Sequence, residues 1–421
     1  MSSTFFNNHT YKKEIFFFFF LYFTLIISFF LGENSTGGAV IDYSANKITI
    51  KAFASEFLKT FYGYESVFTR HSPVLYIFLS LFERINLPDF LIRLIHLHLC
   101  LLLPFLFYKC LTIKFNEIDK KILLFLSCLI FLSPTFRTLA IWPDSRLLGL
   151  TLFTLSVYYF LKFEVNKDFK FAIYNVISLA LSAYISPNFS VFSIFFFTKF
   201  VLHYSIFSKK ILSIIIINLF LALPAFYYIF ILDINFFLRP VASGIEENER
   251  IFFGNVFNDI LITFSIIFFY LIPFLFFKII KINNVLNIRN ILISISIFSI
   301  CVFNFDYNIL YSGGGIFFKI SNYLFDNNYL FYLISLFSIP IILSLILKNY
   351  LNILLFVIII LNNPQYTIYH KYFDPFLLIT YLTIFYFSFD LKKIFHAKNH
   401  FFIFAYFLAF LIISNIKLIY V

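Results

Sequence analysis

Apolar residues run along this chain in blocks of about twenty, the length that carries an α-helix through a hydrocarbon core, and short polar stretches punctuate them. The pattern predicts about thirteen membrane-spanning helices. They are Ile15–Leu31, Phe90–Thr112, Ile122–Leu139, Leu147–Leu161, Phe171–Ile185, Phe189–Tyr204, Ile211–Leu232, Ile260–Ile280, Ile291–Phe305, Tyr329–Leu347, Leu351–Leu361, Phe376–Phe389 and Phe401–Tyr420. The widest early break is the polar stretch Gly32–Pro73. Inside it, Phe53, Phe57, Leu58 and Phe61 share one side of an amphipathic helix over Lys51–Phe61, expected to lie in the membrane interface. Pro73–Phe82 is apolar but too short to cross, and reads as a second juxtamembrane or re-entrant helix.

Basic residues orient the pattern. If Pro73–Phe82 is not a crossing, Lys114/Lys120/Lys121, Lys162/Lys167/Lys170, Lys209/Lys210 and Lys392/Lys393 all fall on one side, the cytoplasmic side by the positive-inside rule. The N-terminus is then inside and the C-terminus outside. Lys12 and Lys13 precede the first span, which is longer than a signal-peptide core and has no small-x-small cleavage site after it, so it reads as a retained anchor. The polar stretches 32–73, 135–146 and 362–375 become outer loops of a single all-α membrane domain spanning 1–421.

Composition agrees. Hydrophobic residues make up 61% of the chain and charged residues 13%, against about 45–50% and about 25% in soluble domains. The 69 Phe belong to a bias toward residues with AT-rich codons and do not mark an aromatic binding surface. The net charge of +11 is dispersed over loops rather than gathered on a face, which argues against nucleic acid as a partner. Cys100, Cys110, Cys128 and Cys301 lie in or at the ends of apolar spans without ligand spacing, and read as packing residues. His96 and His98 point to different helix faces and make no metal site. Gly313–Gly315 follows no strand and lacks the Lys-Ser/Thr of a phosphate loop, so it reads as a flexible turn. The Glu246–Glu249 run reads as a solvated loop face.

Charge is costly in a membrane, so its placement directs attention to the outer loops. The first offers Asp42 and Arg70-His71, the second Asp144 and Arg146, the late one His370-Lys371-Tyr372 and Asp374. Convergence of the three would suit transfer of a sugar from a lipid phosphate. A carboxylate would take the proton of the attacking hydroxyl, and cations would meet the charge on the departing phosphate.

The acid just past the first span, the H-x-P opening of the second juxtamembrane helix, the second-loop IWPDSRLLGL and the late YHKYFDP together resemble the GT-C membrane glycosyltransferases. The likeness is to the bacterial branch related to aminoarabinose and protein O-mannosyl transferases. It covers the first half of the chain and, in the second, mainly Tyr369–Pro375. It implies Asp42 as catalytic acid, Asp144 as the second-loop acid, and Arg70, His71, Arg146, His370, Lys371 and Tyr372 as substrate-binding residues. It also implies a polyprenyl-phosphate-linked sugar donor, a lipid, glycan or protein acceptor, and a bacterial inner membrane with a periplasmic site. No Asp-x-Asp pair is present, which leaves a divalent cation without its usual sequence mark. The rival expectations are a flippase or transporter for a lipid-linked glycan, and an O-antigen polymerase or ligase.

Overall fold

The structure is a computed structural model that describes residues 12–64, 72–231, 255–276, 285, 287–308, 313–363, 367–386 and 397–416. All regular elements among them are helical. Those used below are α1 (Lys12–Leu31), α2 (Ala39–Ser55), α3 (Phe57–Tyr62), α4 (Val74–Arg84), α5 (Asp89–Cys100), α6 (Leu102–Lys114), α7 (Lys120–Ser127), α8 (Pro134–Ile141), α9 (Ser145–Asn166), α10 (Phe169–Ile185), α11 (Ser193–Tyr204), α12 (Lys209–Phe226) and α13 (Val256–Phe276). They continue as α14 (Ile288–Phe303), α15 (Gly315–Phe325), α16 (Tyr329–Ile346), α17 (Tyr350–Leu361), α18 (Phe376–Thr383) and α19 (Ala397–Ile416). Among the described residues six helices are long and apolar enough to cross a membrane, seven if one bent pair counts as a span. The apolar stretches Ile15–Leu31, Phe169–Ile185, Ile288–Phe303 and Tyr350–Leu361 are shorter. The chain is a helical membrane protein.

Three expected elements differ. The third span is two helices bent by 67° at Ser133–Pro134. Proline has no N–H to continue the first helix, and the Ser133 hydroxyl instead accepts the Phe136 N–H and starts α8. The stretch expected as an outer loop over 135–146 is therefore largely helix, and every residue of α8 is buried. The twelfth expected span ends as a helix at Thr383, and all eight residues of α18 are buried, so it is an internal element rather than a lipid-facing one. The amphipathic helix begins earlier than expected, at Ala39, and breaks at Glu56; Phe53 is buried but Leu58 points outward at 66% exposure. The second juxtamembrane helix lies over Val74–Arg84, as its pattern indicates. The Glu246–Glu249 run lies outside the described residues.

Packing is organised around α9, which lies against α6 and α10. Gly149 lets the backbone following α10 come close: a Cβ there would sit 2.5 Å from the Ser186 Cβ, the small-residue contact that membrane helices use in place of a hydrophobic drive. One turn further, Phe153 stacks on Phe189 at 5.0 Å and packs against Phe192 and Phe376. The four cysteines are free and buried, packing residues as expected. One charged pair is locked inside: Arg137 Nε bonds Glu33 at 2.8 Å, with both side chains nearly inaccessible. The same guanidinium donates to Thr24, Ser28 and the Phe131 carbonyl, so its planar fork is filled. That joins the end of α1 to α8. Deleting one partner would strand the other, at a cost of about 3–5 kcal/mol.

Candidate functional site

The site starts with a turn. Gly37, at φ 85°, closes Asn34–Gly37 in a conformation that side chains with a Cβ resist, and the Asn34 side chain accepts the Ala39 N–H. Helix α2 starts there, which puts Asp42 in its first turn, where a carboxylate is favoured by the helix dipole. Neighbouring residues of α2 are fastened. The Tyr43 hydroxyl donates to Asp89 at 2.8 Å, Lys47 pairs with Asp89 at 2.7 Å, and the Tyr76 hydroxyl donates to Asn46. Arg84 of α4 holds the far end through the Phe53 and Ala54 carbonyls. Among these engaged neighbours, the Asp42 side chain remains 46% exposed.

The second contribution comes from the start of α9. The Asp144 carboxylate caps the helix by accepting the Arg146 N–H at 2.7 Å, and the residue is buried. Arg146 then lays its guanidinium over the Tyr372 ring, 3.6 Å from the centroid. The late segment closes the set: Lys371 Nζ lies 3.1 Å from Asp42 Oδ2 and 5.1 Å from the Tyr369 ring centroid. Burial alone would lower the Lys371 pKa. The effects of Tyr372, Asp42 and Asp144 outweigh burial and the repulsion from Arg146, so it is raised and the ammonium is held charged. Asp42, Asp144, Arg146, Lys371 and Tyr372 thus form one cluster drawn from three distant parts of the chain.

His370 does not join them. Its ring stacks on Tyr270 of α13 at 5.6 Å and contacts Phe269 and Phe410, and its Nε2 meets the Tyr270 hydroxyl at 3.2 Å. Burial first, and Lys319 second, push its pKa down to about 3, so the imidazole is neutral where Lys371 is charged. Asp374 is an anchor. It accepts from the Ser133 hydroxyl at 2.6 Å and the Thr135 N–H at 3.1 Å, pinning the late segment to the start of α8. Gly313–Gly315, expected as a flexible turn, supports the same segment: Gly314 N–H donates to the Ile368 carbonyl, and Gly313 lies against that carbonyl and the Tyr307 hydroxyl. Arg70 and His71 lie outside the described residues.

Beyond that last stretch, Ser72 donates to the Tyr184 carbonyl, and Pro73 opens α4. Here a mostly apolar cavity of about 450 Å³ is lined by Ser72, Pro73, Ile77, Tyr184, Pro224 and Tyr228, among others. Helix α4, one of its walls, packs against α2. Among the described residues no three His, Cys, Asp or Glu side chains gather closely enough to hold a metal ion. Asp42, the exposed carboxylate of the cluster, is engaged with an ammonium, an arrangement that does not fit a divalent-cation site.

The sequence did not single out the fastening residues. Arg137 could have been suspected as a cation amid apolar sequence, but nothing local linked it to Glu33, 104 positions earlier. Asp89, which fixes Tyr43 and Lys47, gave no sign at all. No protein-family model, curated protein or solved structure matches this chain.

Proposed function

We propose that this protein is a membrane glycosyltransferase of the GT-C type, which moves a sugar from a polyprenyl-phosphate-linked donor to a hydroxyl on a lipid, glycan or protein. Its site would face the periplasm of a bacterial inner membrane, with about thirteen crossings of the chain. The observation that supports this reading is the joining of Asp42 to Lys371, with Arg146 alongside. One exposed carboxylate next to two cations is what a base and a phosphate grip require.

In this reading the donor phosphate competes for the Lys371 ammonium and for the Arg146 guanidinium over Tyr372. As Lys371 turns to the phosphate, the Asp42 oxygen it held becomes free to accept the proton of the acceptor hydroxyl. The hydroxyl oxygen bonds to the anomeric carbon as that carbon's bond to the phosphate oxygen breaks, and the polyprenyl phosphate leaves with the electron pair. Asp144 acts by positioning: it fixes the first turn of α9 and with it Arg146. The cavity beside α4 accommodates part of the donor's hydrocarbon. Neutral His370 supports the segment from within rather than binding phosphate. No step is assigned to a metal ion.

The test is transfer of a labelled sugar from synthetic polyprenyl phosphate to extracted envelope acceptors, using purified protein in lipid vesicles. Time-dependent loss of donor with matching product supports the reading. Movement of intact labelled donor across the bilayer without product would replace it with a flippase.

A further inference from the structure

Helix α9 has a second polar cluster at its other end, about 27 Å from Arg146 at 1.5 Å per residue, close to the thickness of a hydrocarbon core. There Glu164 meets Lys199 of α11 at 3.2 Å, Lys167 at 3.4 Å and the Tyr386 hydroxyl at 3.2 Å. Lys114, the last residue of α6, lies 5.0 Å from the Tyr386 ring centroid, and Lys199 lies 4.9 Å from it. Three ammoniums therefore share one carboxylate, and Lys114 pairs with none among the described residues. The ring between them is fixed in place: the buried Asn352 side chain accepts the Tyr386 N–H at 2.8 Å and donates to its carbonyl at 2.7 Å. Lys199 is only 15% exposed, which confines it to this place.

We propose that Lys114, Lys199 and Tyr386 form a binding site for the phosphate of an anionic phospholipid, in the leaflet opposite the Asp42–Lys371 site. Two ammoniums beside one rigid ring, in a cluster whose single carboxylate leaves positive charge uncompensated, suit a monoanion. A phosphodiester presents that charge at the depth where helices of this length end, and the tyrosine supplies the amphipathic surface found at that depth. Basic recesses between membrane helices bind anionic headgroups in this way. The site is independent of the transfer reaction proposed above.

Native mass spectrometry of the full chain, released from detergent with phosphatidylglycerol, phosphatidylcholine or inorganic phosphate, tests it. Each lysine near an anionic headgroup is equivalent to a factor of about five, so the two together should favour phosphatidylglycerol over phosphatidylcholine by about thirty-fold. The Lys114→Ala/Lys199→Ala double variant should lose that preference. Lys51→Ala/Lys59→Ala, which removes the same charge from the opposite end, should keep it. Glu164→Gln removes the competing carboxylate and should raise retention, and it decides the matter if the double variant does not fold. Equal retention of the two lipids by the wild type, or an unchanged preference in the variants, overturns the proposal. Displacement of the lipid by millimolar inorganic phosphate would assign the site to a soluble anion instead.

Discussion

The Lys371 ammonium lies 3.1 Å from the Asp42 carboxylate, a contact that joins residues 329 positions apart. It ties the start of α2 to the segment before α18, and it leaves each partner committed to the other while no ligand is present. Replacing Asp42 should therefore alter catalysis more than folding, since its side chain is 46% exposed.

Asp42→Asn should lower sugar transfer by about 10²–10⁴-fold, the usual contribution of a general base. Asp42→Glu should recover only part, because an added methylene displaces the carboxylate by about 1 Å, enough to cost about 10²-fold. Transfer rates in vesicles, with protein matched by immunoblot, measure both. Wild-type turnover in Asp42→Asn would reduce Asp42 to a surface residue.

Lys371→Ala and Arg146→Ala should act on the donor, raising its apparent KM or lowering kcat by removing charge from the phosphate. Tyr372→Leu should have a smaller effect of the same kind, by releasing the Arg146 guanidinium that lies 3.6 Å over its ring. Kinetics at limiting donor distinguish these from Asp42 variants, whose donor KM should hardly move. Unchanged kinetics in both cation variants would remove the phosphate grip.

Two glycine replacements make a controlled pair. At Gly313 the backbone has φ 119°, and a Cβ would lie 2.7 Å from the Ile368 carbonyl oxygen and 2.8 Å from the Tyr307 hydroxyl. Gly313→Ala should shift the segment carrying Lys371, at a cost of about 1–3 kcal/mol, with a lower Tm and lost transfer. At Gly38 a Cβ meets only Asp42 Oδ2, at 3.9 Å, and Gly38→Ala should be tolerated. Equal melting temperatures for the two variants would show that the glycine turn does not hold the late segment.

His370 makes the protein sensitive to acid. Its pKa is about 6.5 when unfolded and about 3 in the folded chain. Above pH 6.5 the ring is neutral in both states and adds no pH dependence. As pH falls from 6.5 toward 3 the unfolded chain takes up a proton that the folded chain refuses, so stability declines across that window. Thermal melts in detergent from pH 7.5 to 4.5 should show a steeper decline for the wild type than for His370→Gln. Parallel curves would mean that His370 titrates normally.

The helical, membrane-spanning character of the chain was legible because hydrophobic periodicity is a local property. The breaks were less so. Pro134 announces that a helix cannot pass unbent, but the buried course of α8 depends on Arg137 finding Glu33, which no window of sequence contains. The candidate site divides along the same line. Asp42, Arg146 and Lys371 stood out as charges beside long apolar runs, and they do come together. His370 looked equivalent to Lys371 because sequence gives no direction to a side chain; a three-residue 3-10 turn sends the neighbours opposite ways. Asp89, Tyr43 and Lys47, which hold α2, are individually ordinary and gain meaning only from their mutual distances.

The Arg137–Glu33 pair also constrains how the protein is made. Glu33 emerges from the ribosome well before Arg137, and α1 must remain within reach until the guanidinium arrives. Until they meet, each is a charge without its partner, which buried surroundings strongly disfavour. Burial of α8 and of the end of the first helix is therefore coupled through this one pair. A nascent chain halted before residue 137 would hold its first helix without the residue that fastens it.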